Sequence, residues 1–204
     1  MKSATSLTAF LPVLLVQFGC AAIVRPTFGS AEFLTDQPKR PMHVALCASE
    51  AFRTYSSKQL DLMDEKLWQL ELGTAAADAL RYALESRFES VVVRGAAPQF
   101  PLPGPAPALV VVPSIDSVKL WTPLVFKFEP YAVTLTMSVT VYDASGNELK
   151  RTTVTAKGQK AGSIGYESAG HAALPEACRL AIKQAVTEIM GVLNELPAPV
   201  TARR

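Results

Sequence analysis

The chain has 204 residues, which is enough for one large domain but too few for two domains with independent hydrophobic cores. Charged residues make up 19% and hydrophobic residues 49%, a balance that excludes a disordered tail protein and a coiled-coil rod. Twenty Lys and Arg against eighteen Asp and Glu leave a net charge of +2, which is too small for a protein that binds nucleic acid by neutralising phosphates.

The first residues have the pattern of an export signal. A positive charge at Lys2 precedes an almost wholly apolar run from Leu7 to Phe18, as in the charged and hydrophobic regions of a signal peptide. The run is short for a membrane span, and Pro12 interrupts it. We therefore expect residues 1–19 to be a signal peptide and the mature chain to be exported.

The signal ends in Gly19-Cys20, a small residue followed by cysteine, as in bacterial lipoprotein signals. Gln17 and Phe18 stand where a lipoprotein signal usually has an aliphatic and a small residue. We predict that Cys20 carries acyl chains (palmitate) and anchors the protein to the outer membrane, facing the periplasm. The alternative is cleavage near Ala22, which would release a soluble periplasmic protein.

Two further cysteines, Cys47 and Cys178, remain in the mature chain. In an oxidising compartment they could form a disulfide. The alternative is that both are small buried hydrophobic residues. The sequence contains no C-x-x-C pair, so it supports neither a zinc knuckle nor a thioredoxin-type redox site.

In the first half of the mature chain, residues 20–41 are rich in proline and lack periodicity, which predicts a lipidated tether or an ordered arm. Short apolar or alternating runs predict strands over 43–47 and 66–72. The second run could also be the tail of a helix with Leu60, Met63, Leu67 and Leu70 on one face, but Gly73 at its end favours the strand. A helical spacing of alanine and leucine predicts a helix from Thr74 to Phe88. The β-branched run Val91-Val92-Val93 then predicts a buried strand.

The second half predicts a β-meander and a closing helix. Residues 108–120 form a strand in which Pro113 indicates an edge or a bulge. Residues 131–143 alternate apolar and polar, a turn sequence follows, and 148–160 continue as the second strand of a hairpin. A glycine-rich loop is expected over 158–170. The last helix carries an apolar stripe over 174–196 and tolerates Pro175 in its first turn.

This order of elements predicts one α+β domain over residues 42–197, followed by a tail at 198–204. Adjacent antiparallel strands with two helices on their apolar face form a two-layer sandwich. We expect a mostly antiparallel sheet of about five or six strands.

Residues suited to catalysis are scarce. The only histidines are His43 and His171, and no hydrolase or metalloprotease motif occurs. Asp61, Asp64 and Glu65 could hold a divalent cation, although a solvated acidic face explains them more simply. We therefore predict that the protein is not an enzyme and has no catalytic residues, metal site or cofactor.

The segment from Trp121 to Tyr131 is the best candidate for contact with a partner protein. Four aromatic residues lie within eleven positions at the junction of two strands. In a projecting hairpin they would present an apolar strip, whereas in a compact one they would cover the end of the sheet. The candidate contact residues are Trp121, Leu124, Phe126, Phe128 and Tyr131.

Three features together resemble the small envelope lipoproteins of Gram-negative bacteria. They are the export signal, Gly73 with a helix ending in Phe88-Glu-Ser-Val-Val-Val, and the strand and turn Val139-Thr-Val-Tyr-Asp-Ala-Ser-Gly-Asn-Glu-Leu149. Among these lipoproteins are the YajG type, the periplasmic domain of CsgG and LptE. The resemblance covers residues 42–196 and implies a non-enzymatic accessory or assembly role in an envelope protein complex.

A second function, of a different class, is also compatible with the sequence. A periplasmic carrier would hold a lipid or another apolar ligand between the sheet and the helices. A ligand pocket in the fold would favour the carrier, and co-purification with a membrane complex would favour the accessory subunit.

Overall fold

The structure, a computed structural model, describes residues 21–61, 66–102, 106–122, 130–161 and 169–196. Its elements in chain order are β1 (Ala22–Val24), a 3₁₀-helix (Ser30–Phe33), β2 (Arg40–Cys47), α1 (Glu50–Arg53), β3 (Ser56–Asp61), β4 (Lys66–Glu71), α2 (Gly73–Arg87), β5 (Phe88–Arg94), β6 (Leu109–Trp121), β7 (Tyr131–Tyr142), β8 (Glu148–Lys160) and α3 (Ala169–Glu195).

The larger sheet has five strands in the order β5-β2-β6-β7-β8. Strands β6, β7 and β8 form long antiparallel ladders, and β2 joins β5 and β6 in parallel. The β7–β8 hairpin closes through a turn in which Gly146 has φ +90°. The Asp143 carboxylate accepts hydrogen bonds from the Asn147 side-chain amide at 2.8 Å and from the backbone N–H groups of Asn147 and Ser145 at 2.9 and 2.8 Å. These hydrogen bonds, that of the Asn147 side chain most strongly, lower the pKa of Asp143.

Strand β7 shows why the structure of this part of the chain can be predicted from its sequence. Every second side chain faces the helices and is at most 1% exposed, and the members of this row are Val133, Leu135, Met137, Val139 and Val141. The hydroxyl residues between them lie on the other face, where Ser138 meets Thr153 of β8 at 2.8 Å. The predicted alternation and hairpin are confirmed.

The smaller sheet has three strands in the order β1-β4-β3. It lies beside the second half of β6, where the Gln59 amide donates to the Val118 carbonyl at 3.4 Å. Strand β2 pairs with β6 only over Leu109–Val111, so β6 has a strand partner only on the β7 side by Pro113. A register shift follows between Ile115 and Ser117. Proline is tolerated here because no ladder needs its missing N–H.

Helices α2 and α3 pack on one face of the larger sheet and form the core with it. Their fully buried side chains include Leu80 and Leu84 of α2 and Leu174, Ile182 and Ile189 of α3. Burial of each such side chain stabilises the fold by about 1.5–3 kcal/mol. The α+β class, with two long helices on mostly antiparallel sheets, is confirmed. Within the described ranges, no helix is long and apolar enough to span a membrane.

Three local predictions were wrong. Val92 and Val93 are 51% and 45% exposed, because β5 is the edge strand of its sheet. Gly158 belongs to strand β8, where α3 crosses it closely. Pro175 lies inside α3 and not in its first turn, because the helix already begins at Ala169. The rest of the expected glycine-rich loop, residues 162–168, lies outside the described residues.

Candidate functional site

Residues 21–40 form an ordered arm that follows α3 along its length. Strand β1 pairs in parallel with β4, and Arg25 binds the Glu71 carboxylate at 2.5 Å. Further along, Glu32 of the 3₁₀-helix pairs with Arg179 of α3. The Arg40 guanidinium then donates to the carbonyls of Leu193 and Leu196 at 3.1 and 2.8 Å, which satisfies carbonyls at the carboxyl end of α3.

The arm places the start of β1 at the same end of the domain as Trp121. Arg40 lies beside Leu193 near the carboxyl end of α3, and Glu32 lies beside Arg179, nearer its start. The earlier residues of the arm, back to Ala22, therefore lie towards the start of α3. That part of α3 crosses β8 at Gly158, next to Lys160, which pairs with Tyr131. Trp121 pairs with the following residue of β7. We call this end of the domain the Trp121 end.

Three exposed apolar side chains belong to strands that end or pair at the Trp121 end. Trp121 is 59% exposed, and Ile23 and Leu60 of the smaller sheet are 53% and 58% exposed. Leu60 belongs to this end because its neighbour Gln59 reaches Val118 of β6. Tyr131 is half-buried at the start of β7. Of the predicted site residues, Cys20, Leu124, Phe126 and Phe128 lie outside the described residues.

Cys47 and Cys178 are both free and buried, and the sheet separates them. Cys178 belongs to the main core between sheet and helices, whereas Cys47 packs on the opposite face with Ala45 and Val110. Burial raises the pKa of both thiols, that of Cys178 to about 12. Both side chains therefore remain protonated, and neither has the character of a reactive cysteine.

Of the histidines and carboxylates considered as catalytic or metal-binding residues, the structure describes only the side chain of His43, and that of His171 lies outside the described residues. His43 is exposed on β2. Asp64 and Glu65 lie outside the described residues, as does the side chain of Asp61. Among the described residues, no group of three or more His, Cys, Asp or Glu side chains could hold a metal ion.

An ion-pair network fixes the arm to α3. Arg179 binds both carboxylate oxygens of Glu176 at 2.7 and 2.8 Å and also contacts Glu32. All three side chains are 25–30% exposed. The hydrogen bonds from Arg179 lower the pKa of Glu176 against the opposing effect of burial.

We expect Arg179→Met to lower the free energy of unfolding by about 1 kcal/mol at neutral pH, because it leaves two half-buried carboxylates without their cation. A carboxylate with a lowered folded-state pKa stabilises the fold above its unfolded pKa, about 4.3, and loses that effect as the pH falls through its folded pKa. The difference from wild type should therefore shrink below pH 4. Urea unfolding at pH 7 and pH 3 measures it.

Arg151→Met is the matched control, since Arg151 pairs with Glu148 on the same strand and is 64% exposed. Its effect should be near zero at both pH values. An Arg179→Met effect that is equal at pH 7 and pH 3 would contradict an electrostatic origin.

A groove of about 420 Å³ lies on the outer side of the helices, between the arm, α2 and α3. Its α2 residues are three and four positions apart, as are its α3 residues, so each helix contributes one face. The lining consists of Glu32, Phe33, Leu34, Thr35 and Gln37 of the arm, Ala83, Ser86 and Arg87 of α2, and Lys183, Val186, Thr187, Met190, Gly191 and Asn194 of α3. No residue pattern in the sequence indicates this groove, because the groove forms only where the arm lies across two helices that are far apart in the chain.

The groove has buried apolar side chains at its floor, polar side chains along its walls and a cationic side chain near each end. Ala83 and Val186 are buried beneath it, and Leu34 at its edge is 75% exposed. Arg87 donates to the Asn194 side chain at 2.9 Å and to the Pro38 carbonyl. Within the described part of the chain, neither Arg87 nor Lys183 forms an ion pair with a carboxylate. Lys183 precedes Asn194, the partner of Arg87, by eleven residues of α3, which is about 16 Å along the helix, so the two cations border opposite ends of the groove.

No protein-family model matches the sequence, and no curated protein matches it either. Solved structures do match. Protein XCC0632 of Xanthomonas campestris, of family DUF330, superposes with a TM-score of 0.54 at 12% identity, covering 85% of this chain and 91% of that one.

Two further matches have TM-scores of 0.47. A minor lipoprotein of Acinetobacter baumannii is 14% identical, with 78% of this chain and 97% of that one covered. The rare lipoprotein B of Shewanella oneidensis is 12% identical, with coverages of 74% and 93%. At these identities the likeness concerns the fold alone, and the chain shares its α+β architecture with the Xanthomonas protein.

Proposed function

We propose that the protein is an envelope lipoprotein, lipidated at Cys20 and anchored in the outer membrane, that acts as a non-enzymatic accessory subunit of an envelope protein complex. The observation that carries this proposal is the position of β1. It begins at Ala22, two residues after Cys20, and two residues span at most about 7 Å. An acyl anchor at Cys20 would therefore hold the Trp121 end at the membrane surface.

The same geometry supports a contact surface at that end. Trp121, Ile23 and Leu60 are three of seven large apolar side chains that stand exposed among the described residues. Exposed aromatic residues are enriched where proteins bind one another. A surface held beside the membrane faces subunits that are themselves in the membrane. We propose Trp121, Leu124, Phe126, Phe128 and Tyr131 as the contact residues.

We expect the intact mass of the membrane-extracted protein to correspond to a chain that begins at Cys20 and carries two or three acyl chains. In Cys20→Ser the lipid mass should disappear. The protein should then move from the membrane to the soluble periplasmic fraction, because we propose that the acyl chains on Cys20 supply its membrane affinity. An unlipidated chain that begins near Ala22 in the wild type would refute it.

The partner surface is tested by crosslinking in intact cells followed by purification. Trp121→Ser, and the double variant Phe126→Ser/Phe128→Ser, should lose a crosslinked protein that the wild type retains. Leu149→Ser is the matched control, since Leu149 is 45% exposed near the other end of β8. Equal crosslinking in all variants would exclude the Trp121 end as the contact surface.

A second function, carriage of an apolar ligand, is supported by the groove. Within the described ranges, the interface between the sheet and the helices consists of core side chains that are nearly all under 5% exposed. The groove of about 420 Å³ on the outer side of α2 and α3 leaves space for a ligand.

A further inference from the structure

The larger sheet carries two lysines near the Trp121 end, on the face that points away from α2 and α3. We call this face the open face. Lys119 of β6 and Lys157 of β8 both pair with Thr134 of β7, which lies between them. The residue before each lysine is buried in the core under the helices, so both lysines point to the open face. Because adjacent strands are about 4.8 Å apart, the two lysines stand about 10 Å apart across the sheet.

The fold does not neutralise these two lysines. Both side chains are exposed, and neither forms an ion pair with a carboxylate of the described residues. The one carboxylate of β6, Asp116, accepts hydrogen bonds from Ser114 and Ser138 instead. The open face therefore carries uncompensated positive charge beside the exposed Trp121 side chain.

Two strands that end at the Trp121 end have the same order of side chains. In β6, Lys119 is followed two residues later by Trp121, which is 59% exposed, and in β3, Lys58 is followed by Leu60, which is 58% exposed. The end of β3 lies beside the start of β1, because Leu60 and Ala22 pair with consecutive residues of β4. Residues two apart on a strand share a face and are about 7 Å apart. The apolar side chains are therefore nearest the end of the domain, and the lysines are set back behind them.

This order matches the layers of a phospholipid leaflet, in which the phosphates lie outside the acyl chains. Tryptophan is enriched at membrane interfaces, and lysines near an anionic leaflet are attracted to it. Lys58, like the other two lysines, is exposed and has no ion pair within the described ranges. We propose that the Trp121 end rests on an anionic phospholipid surface, with Trp121 and Leu60 at the interface and Lys58, Lys119 and Lys157 at the phosphates.

This inference goes beyond the protein contact proposed above and does not depend on acylation of Cys20. A few side chains give a weak and salt-sensitive membrane affinity, whereas two or three acyl chains anchor a protein stably. The lipid contact therefore orients an anchored domain and does not by itself retain the Cys20→Ser protein on the membrane during fractionation.

The test uses the mature chain from residue 20 with Cys20→Ser, so that neither a signal peptide nor attached acyl chains add membrane affinity. We expect saturable binding at low salt to vesicles that contain phosphatidylglycerol, little binding to vesicles of phosphatidylcholine alone, and release by added salt. On binding, the emission of Trp121 should shift to shorter wavelength and be quenched by brominated lipid. Trp68, which is 3% exposed, should not respond, so Trp121→Phe should remove the change in emission.

Charge variants test the lysines. Lys119→Gln/Lys157→Gln should weaken binding to the phosphatidylglycerol vesicles by about tenfold or more. Lys39→Gln/Lys150→Gln is the matched control, since it removes the same charge from exposed positions at the opposite end of the domain. Lys39 precedes Arg40 at the carboxyl end of α3, and Lys150 lies near the start of β8. The control should bind like the wild type.

Four results would each overturn the proposal. They are absence of binding to phosphatidylglycerol vesicles, equal binding to phosphatidylcholine vesicles, an equal loss of affinity in the two double variants, and binding without a change in Trp121 emission. Because Cys20 is replaced throughout, any of these results leaves the anchor and the protein contact standing. Failure of either of those proposals leaves the vesicle result unchanged.

Discussion

Gly158→Ala is expected to lower the free energy of unfolding by about 3–5 kcal/mol, enough to unfold a marginal domain. The added Cβ would lie 1.9 Å from the Ala177 carbonyl oxygen and 2.4 Å from the Ala181 nitrogen. Both atoms belong to the backbone of α3, so no side chain can rotate away to make room. The helix would have to move off β8, and with it Cys178 and Ile182, which are fully buried. Chemical denaturation followed by circular dichroism measures the change.

Gly191→Ala is the matched control on the same helix. Because its Cβ meets open space and alanine favours a helix interior, it should raise stability by about 0.5–1 kcal/mol. A Gly158→Ala protein within about 1 kcal/mol of wild type would show that α3 and β8 are farther apart in solution than in the structure.

Gly73→Ala should have a comparable effect, about 3 kcal/mol or more, at the junction of α1 and α2. Here the Cβ would lie 2.2 Å from the Phe52 carbonyl oxygen and 2.5 Å from that of Arg53. The Tyr55 carbonyl accepts hydrogen bonds from the N–H groups of Leu72 and Gly73, each at 3.2 Å, so the loop and the helix start are already held together. A movement that relieved the clash would break these hydrogen bonds and expose the Phe52 side chain, which is only 3% exposed in the native fold.

The neighbouring Thr74→Ala separates this packing effect from loss of one hydrogen bond. The Thr74 hydroxyl donates to the Arg53 carbonyl at 3.2 Å, and its removal should reduce stability by about 0.5–1.5 kcal/mol. Thermal unfolding of the two variants should therefore give clearly different midpoints. Equal midpoints would mean that α1 moves aside without loss of core packing.

Strand β7 and helix α2 could be predicted from the sequence because their signals are local. The alternation from Tyr131 to Tyr142 has a period of two, and the alanines and leucines of α2 recur at three and four positions, so each element shows its buried face without reference to its neighbours. The same reasoning failed at Val92 and Val93. A β-branched run indicates a strand, but burial depends on whether another strand lies beside it, and β5 has only β2.

The candidate sites depend on non-local contacts to different degrees. Cys20 and the aromatic residues from Trp121 to Tyr131 stand out as residue patterns, yet no pattern indicates that Ala22 and Trp121 lie at one end of the domain. That proximity follows from the pairing of β1 with β4 and from the contacts of Glu32 and Arg40 with α3. The strand pairing joins residues 46 positions apart, and the contacts with α3 join residues 147 and 153 positions apart.

The α+β class, the hairpin of β7 and β8 and the two long helices can be predicted without the structure, because hydrophobic periodicity over ten or more residues specifies an element and its buried face. Three other features become visible only in the folded chain: the sheet separates Cys47 from Cys178, residues 21–40 form a packed arm, and Arg87, Lys183 and Gly191 border one groove. These features arise from the relative placement of elements, which is set by packing among distant side chains and has no local period in the chain.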